Sequence, residues 1–155
     1  MSGLRHGALS PQQRIESEAV ASPLWPQKGS VMDDDTALIV ATAHDYFEGW
    51  FDGDPTRMES ALHPDLAKRG VRAETAGREV DSMTADQMIG WTRDGEGVRE
   101  LPRDLEIRIE VLDVHHEIAT ALVRSSVYIE YAHLAKTDGR WRVLNTIYMR
   151  TPGPS

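Results

Sequence analysis

Cysteine is absent from this chain of 155 residues. Its absence excludes disulfide bonds, thiolate metal sites and cysteine nucleophiles together. Many small secreted domains depend on disulfides, whereas cytosolic proteins keep their thiols reduced. The composition therefore favours a reducing compartment, and we predict that the protein is cytoplasmic.

Long apolar runs and clustered positive charges are also missing. No stretch approaches the about 20 apolar residues that cross a bilayer, and the segment between Arg5 and Arg14 lacks the apolar centre of a secretory signal. Basic residues are dispersed along the chain, and the formal net charge is −8. Such a chain repels nucleic-acid phosphates and anionic lipids, so we expect neither nucleic acid nor a membrane as a partner.

Motifs for nucleotide-dependent or metal-dependent chemistry are missing too. The chain has no Gly-x-Gly-x-x-Gly fingerprint, no phosphate-binding loop and no Gly-x-Ser-x-Gly elbow. It also lacks the His-Glu-x-x-His spacing that holds zinc in many proteases. We therefore predict neither a cofactor nor a metal site.

What is present is the composition of one globular domain, with 40% hydrophobic and 27% charged residues in a chain long enough to bury a core. We predict a flexible arm over 1–32, a folded domain over 33–150 and a disordered tail over 151–155. The arm is rich in proline, serine and glutamine and has no sustained period. Two alternatives stay open: the arm is a lid that docks through Leu24 and Trp25, or the natural chain starts at Met32.

Helical periodicity is clearest between the acidic run at 33–35 and Gly53. One arc of this helix collects the apolar and aromatic side chains Ile39, Val40, Ala43, Tyr46, Phe47, Trp50 and Phe51. A short helix follows, with Asp54 as its cap and Pro55 in its first position. A third helix starts at Thr84, which forms a capping-box pattern with Gln87.

From about residue 104 the apolar period changes to two. We predict strands at roughly 104–114, 117–127, 128–136 and 140–150, with Asp138-Gly139 as a two-residue hairpin turn. A short strand is also expected at "LAKRGV", followed by a loose hairpin. Three helices followed by an antiparallel meander predict an α+β domain with helices on one face of a bent sheet.

The segments "YFEGWFDGDPTRMESALHPDL" and "YIEYAHLAKTDGRWRVLN" make residues 35–150 resemble the nuclear transport factor 2-like superfamily, in particular its SnoaL-like and lumazine-binding branches. The resemblance implies a cystatin-like cone, in which a strongly curved antiparallel sheet wraps N-terminal helices around a pocket. It also implies that the outer sheet face forms a homodimer. The superfamily includes isomerases, epoxide hydrolases, cyclases, dehydratases and non-catalytic binders, so the fold alone does not identify a function.

Glu130 is a carboxylate in the middle of a strand that should face a core. The turn at Asp138-Gly139 sets a register in which Ala132 pairs with Asn145 and Glu130 with Ile147. On that register Glu130 and Asn145 face the inside of the cone.

Two interpretations of Glu130 stay open. It is a general acid or base, with Asn145 and Tyr128 orienting a carbonyl or hydroxyl group. Alternatively, it bonds to Asn145, Tyr46 or an arginine and only satisfies a buried polar position. The family more often carries aspartate at this position, which weakens a role taken over from the resemblance.

The predicted pocket residues combine aromatic and polar side chains: Tyr46, Trp50, His63, Trp91, Tyr128 and Asn145. His63 has an alternative role as a cap at the end of the short helix, and the aromatic side chains could serve only as core. The opposite face of the last hairpin is too apolar for open solvent. We predict a dimer interface there, formed by Tyr131, His133, Leu144 and Tyr148.

Three functions remain as hypotheses. The first is binding of a small apolar or aromatic ligand in the cavity. The second is a cofactor-free isomerase, cyclase or dehydratase in which Glu130 moves a proton. The third is an interaction module whose pocket is filled by its own side chains.

Overall fold

The computed structural model describes residues 30–152, with the side chains of 34–152. Its helices are α1 (Ser30–Asp52), α2 (Pro55–Ala61), α3 (Ala85–Arg93) and α4 (Glu96–Glu100), and Ala73–Thr75 forms one 3₁₀ turn. Its strands are β1 (Leu62–Val71), β2 (Val80–Met83), β3 (Ile107–His115), β4 (Ile118–Ser125), β5 (Tyr128–Thr137) and β6 (Arg140–Arg150).

Helix α1 lies against the sheet through the predicted apolar arc. Ile39, Ala43 and Phe47 are buried, and Gly53 follows the helix with a φ of +66°, a backbone conformation that favours glycine. The helix begins at Ser30, inside the segment predicted as a flexible arm. The suggested docking residues Leu24 and Trp25 lie outside the described residues.

The chain after β6 departs from the predicted tail in one respect. Thr151 donates its backbone N–H to the carbonyl of Val127 (2.8 Å) and its hydroxyl to the carbonyl of Ser125 (2.9 Å). Only 153–155 of that tail lie outside the described residues.

The short helices start where the capping signals predict. The carboxylate of Asp54 accepts from the backbone of Arg57, and Thr84 and Gln87 form the reciprocal capping box. Helix α4 was not predicted as a separate helix, because its segment is polar and glycines lie at its start, Gly95 before it and Gly97 within it. It packs on α1 at Gly97, where a Cβ atom would lie 2.1 Å from the carbonyl oxygen of Trp50.

The six strands form one sheet in the order β2-β1-β6-β5-β4-β3. All neighbouring pairs are antiparallel except β1 and β6, which are parallel. The α+β class and the antiparallel meander from β3 to β6 are confirmed, and the parallel pair of β1 and β6 makes the complete sheet mixed. Strand β1 begins at Leu62, directly after α2. The chain between β1 and β6 contains all the other strands and two helices, and a connection of that length allows the two strands to pair in parallel.

The hairpin of β5 and β6 turns at Asp138-Gly139 as predicted, with both residues at positive φ. Its register departs from the prediction after Val143. Val143 pairs with Leu134, but Asn145 pairs with His133, so Leu144 is an extra residue that forms a β-bulge.

The bulge changes which residues of β6 face inward. Trp141 and Val143 are buried as predicted, but beyond the bulge Thr146 is buried while Asn145 and Ile147 are exposed. Glu130 accordingly pairs with Tyr148, not with Ile147. Glu130 itself still faces the core, because it lies an even number of residues from Leu134 on β5.

Candidate functional site

A cavity of about 240 Å³ opens between the helices and the inner face of the sheet. Aromatic side chains and methionines form its walls, and several charged groups project into it. Its lining residues are Tyr46, Phe47, Trp50, Lys68, Met83, Met88, Trp91, Glu96, Glu100, Tyr128, Glu130, Tyr148 and Arg150.

A buried polar cluster lies in the cavity wall, formed by Lys68, Tyr46, Glu130 and Thr146. Oε1 of Glu130 accepts from Lys68 Nζ (2.8 Å), from the Tyr46 hydroxyl (2.7 Å) and from the Thr146 hydroxyl. Lys68 also donates to the Tyr46 oxygen. Among the described residues, no hydrogen bond reaches Oε2 of Glu130; all three donors contact Oε1.

Three neighbouring strands position this buried polar cluster. Lys68 on β1 pairs with Thr146 on β6, and Glu130 reaches across from β5. Period two turns Leu66, Lys68 and Gly70 to the same inner face of β1.

Burial determines the electrostatics of this cluster. Lys68 is 5% exposed and Glu130 2%, so both charges have lost their hydration. Desolvation lowers the pKa of Lys68, although the neighbouring Glu130 opposes that shift. Desolvation and the charge of Glu130 raise the pKa of Tyr46, which therefore remains a neutral donor at physiological pH.

Tyr148 forms a further part of the wall, beside the buried polar cluster. The Lys68 ammonium lies 4.3 Å from the centroid of the Tyr148 ring, within cation–π distance. The ring lies against Gly70, where a Cβ atom would be 2.6 Å from it. Glycine at this position therefore makes room for the tyrosine.

Glu100, at the end of α4, organises the other side of the cavity. It accepts from Trp50 Nε1 (3.3 Å), from the Tyr128 hydroxyl and from the Arg150 guanidinium (2.6 Å). Burial and the adjacent Glu100 raise the pKa of Tyr128 far above its usual range. Glu100 thus ties α4 to both α1 and the last hairpin.

The cavity collects most of the residues predicted for the pocket. Glu130, Tyr46, Trp50, Trp91 and Tyr128 line it. The Tyr46 hydroxyl donates a hydrogen bond to Glu130. This bond is one of those predicted for the case in which Glu130 only satisfies a buried polar position.

Two predicted pocket residues do not line the cavity. Asn145 is turned outward by the bulge at Leu144. His63 lies in β1, because the chain becomes extended at Leu62, and its Nδ1 accepts from the backbone N–H of Asp65 (3.0 Å).

One residue predicted for the outer face belongs to the cavity instead. Tyr148 is turned inward by the bulge that turns Asn145 outward. The outer side of the hairpin does expose Tyr131 and His133, and Leu144 is half-buried.

Sequence reasoning missed four polar participants: Lys68, Thr146, Glu100 and Arg150. Lysine is seldom buried, so a lysine in a short polar strand gave no reason to expect a buried partner for Glu130. The available signal was the alternation from Leu66 through Lys68 to Gly70. Arg150 and Glu100 come together only through tertiary packing.

The described residues contain neither a metal-binding cluster nor a membrane-spanning helix. Within 34–152, no cluster of three or more histidine, aspartate or glutamate side chains is arranged to hold a metal ion. The helices of the described chain are all too short or too polar to cross a membrane.

Comparison with known proteins assigns the family. The model of the family described as "Putative lumazine-binding" matches residues 34–149. The chain belongs to this family. The lumazine-binding family match thus covers α1, except for its first residues, and continues through almost all of β6. No curated protein matches the chain.

Solved structures with the nuclear transport factor 2-like fold are similar to this lumazine-binding family member. One protein of unknown function with that fold, from Methylobacillus flagellatus, is 21% identical, with a TM-score of 0.62 over 81% of this chain and 97% of its own. Another, from Silicibacter pomeroyi, is 15% identical, with a TM-score of 0.62 over 77% and 98%. A ketosteroid isomerase-like protein from Erwinia carotovora atroseptica is 19% identical, with a TM-score of 0.54 over 75% and 96%. At these identities the similarity establishes the fold.

Proposed function

We propose that the protein binds a small, flat and mainly apolar molecule in its cavity. The observation that carries this proposal is an open, aromatic-walled cavity with a fully buried polar cluster in its wall. Small-molecule sites have this composition, in which apolar walls supply affinity and a few fixed polar groups supply orientation.

The size of the cavity limits the ligand. An apolar cavity of about 150 Å³ holds benzene, and drug-sized ligands occupy roughly 300–1,000 Å³. A volume of about 240 Å³ therefore suits one or two fused rings. Lumazine, the molecule in the family's description, is a two-ring heteroaromatic and is the first ligand to test.

The geometry favours binding over proton transfer. A general base for a substrate needs a carboxylate oxygen directed at that substrate, whereas Oε1 of Glu130 already accepts from three of the protein's own donors, one of them the Lys68 cation. The open cavity also weighs against a pure interaction module, since Trp50 and Trp91 line the space without filling it.

Proton transfer remains the second candidate because of Oε2 of Glu130. This oxygen has no hydrogen-bond donor among the described residues, although the residue lines the cavity. A substrate C–H or O–H group could meet it there. If Glu130→Gln abolished turnover of a substrate that the variant still binds, this candidate would replace simple binding.

Calorimetric titration with lumazine tests the binding proposal, with tryptophan fluorescence as a second readout. Trp91→Ala should weaken binding about two- to twelvefold, because an aromatic contact contributes about 0.5–1.5 kcal/mol beyond its area. The matched control is Tyr131→Ala, which removes an aromatic side chain of similar exposure from the outer face. Binding that is unaffected by Trp91→Ala but lost in Tyr131→Ala would refute a ligand in the cavity.

We also propose that the protein is a cytoplasmic homodimer. The outer face of the last hairpin exposes Tyr131, Ile147 and Met149, each at least 40% accessible. Tyr131 and Ile147 are cross-strand neighbours, so they form a continuous apolar surface suited to a two-fold contact. A monomeric mass in solution at micromolar concentration would contradict the dimer, and cell fractionation tests the compartment.

A further inference from the structure

Lys68 is an amine that lines the cavity while almost all of its surface is buried. Its side chain is 7% exposed, and the cavity is the space it borders. The sequence contains three lysines, Lys28, Lys68 and Lys136. Lys136 pairs with Asp35 at 3.1 Å and has a side chain that is 32% exposed, so it offers an internal comparison.

The neighbours of Lys68 are those that amine chemistry requires. Glu130 lies 2.8 Å from the ammonium, and the Tyr46 hydroxyl contacts the same nitrogen. Glu130 is therefore placed to accept a proton from Nζ directly. Desolvation lowers the pKa of Lys68 toward the neutral amine that acts as a nucleophile, although the charge of Glu130 opposes that shift.

We propose that Lys68 forms an imine with small aldehydes that enter the cavity. Glu130 takes one proton from the ammonium, and the neutral nitrogen attacks the carbonyl carbon to form the C–N bond. Glu130 and the Tyr46 hydroxyl exchange protons with the former carbonyl oxygen, which departs as water. An ammonium and an aldehyde thus give a protonated imine and one water, with no change in net charge and no redox partner.

The product fits the charge of the site. The protonated imine keeps the positive charge of Lys68 beside Glu130, so the buried ion pair survives the reaction. Imine formation therefore avoids the cost of leaving Glu130 as an unpaired buried anion.

The walls define the class of aldehyde. Trp50, Trp91 and Met88 make the accessible surface aromatic and apolar, and the cavity volume of about 240 Å³ admits one or two rings. Benzaldehyde is thus a suitable probe.

This inference rests on the proposed function in one respect: a small molecule must be able to enter the cavity.

Reductive trapping tests the imine. The 155-residue chain is treated with benzaldehyde and sodium cyanoborohydride at neutral pH, which reduces any imine to a stable benzylamine, and the benzylated peptides are mapped by mass spectrometry. We expect Lys68 to be modified severalfold faster than Lys136. Modification of Lys136 at an equal or greater rate would overturn the inference.

Benzyl alcohol separates this inference from the binding proposal. It has the same ring but no carbonyl, so it should bind and slow the modification of Lys68 without slowing that of Lys136. If the alcohol saturates a tryptophan fluorescence change while Lys68 stays unmodified by the aldehyde, the imine is refuted and binding stands. If neither compound has any effect at Lys68 or on fluorescence, both the imine and binding of such ligands are refuted.

A variant provides the last control. Lys68→Arg keeps a cation beside Glu130 but has no amine to form an imine, so the Lys68 peptide should lose its label while Lys136 keeps its own rate. Lys68→Met combined with Glu130→Gln removes both charges and serves the same purpose should the arginine fail to fit. An unchanged total uptake of benzyl groups in a folded variant would contradict the assignment to Lys68.

Discussion

The ion pair of Lys68 and Glu130 allows a quantitative test of the site through stability. Glu130→Gln leaves a buried lysine cation without its anion, and Lys68→Met leaves a buried carboxylate without its cation. Removing one partner of a buried pair costs about 3–5 kcal/mol, because the remaining charge is neither solvated nor compensated. Replacing both partners is often neutral or stabilising. We therefore expect the double variant to be more stable than either single variant.

Urea unfolding measures these differences. For a domain of this size the dependence of unfolding free energy on urea is about 1–3 kcal/mol per molar, so a loss of 3 kcal/mol lowers the midpoint by at least about 1 M. Each single variant should show such a shift with an unchanged slope. The double variant should recover most of it.

An exposed ion pair supplies the matched control. Arg72 and Asp81 link β1 to β2 at 2.8 Å, and their side chains are 51% and 44% exposed. Arg72→Met combined with Asp81→Asn should show a far smaller coupling than Lys68→Met combined with Glu130→Gln, because solvent screens the exposed charges. If the Lys68 and Glu130 effects were simply additive, or as small as those of the control pair, the buried pair would not have the energetic role argued here.

Two further predictions concern the helices that enclose the cavity. The hydrogen bond from Trp141 holds the pKa of Asp35 below its usual value of 3.8, so this carboxylate contributes stability above pH 4 that is lost as pH falls through its folded-state pKa. Asp35→Asn should therefore be less stable than the unchanged protein at pH 7, and their denaturation midpoints should converge in acid; a difference independent of pH would contradict this. Gly97→Ala should lower the thermal midpoint, because its Cβ would meet the Trp50 carbonyl at 2.1 Å, whereas Gly90→Ala meets nothing within 4 Å and should stabilise its helix by about 0.5–1 kcal/mol. Equal midpoints for these two glycine variants would show that α4 does not pack on α1 as described.

Much of the fold followed from local patterns in the sequence. The aromatic arc of α1, the capping box at Thr84 and the turn at Asp138-Gly139 depend on residues near one another in the chain, and each was predicted. The inward direction of Glu130 was also correct, since strand alternation from Leu134 sufficed to set it.

The remainder of the site depends on contacts between distant segments. A bulge carries no reliable sequence signal, so the reversal of Asn145 and Tyr148 could not be anticipated from alternation. Lys68 reaches Glu130 only because β1 pairs in parallel with β6, a pairing that the local sequence of β1 does not encode. Tyr46 was among the expected partners of the carboxylate, but its charged partner was expected to be an arginine and is a lysine from the other half of the domain.

The unpaired residue of the last hairpin also affects how relatives should be compared. Leu144 has no partner on β5, and the pairs on either side of it would be preserved if it were deleted. A homologue one residue shorter in β6 could therefore keep the equivalents of Thr146 and Tyr148 on the inner face of the sheet. An alignment gap therefore belongs at Leu144. A gap placed further along β6 would align inward-facing residues of one protein with outward-facing residues of another. Cavity residues would then be compared with surface residues.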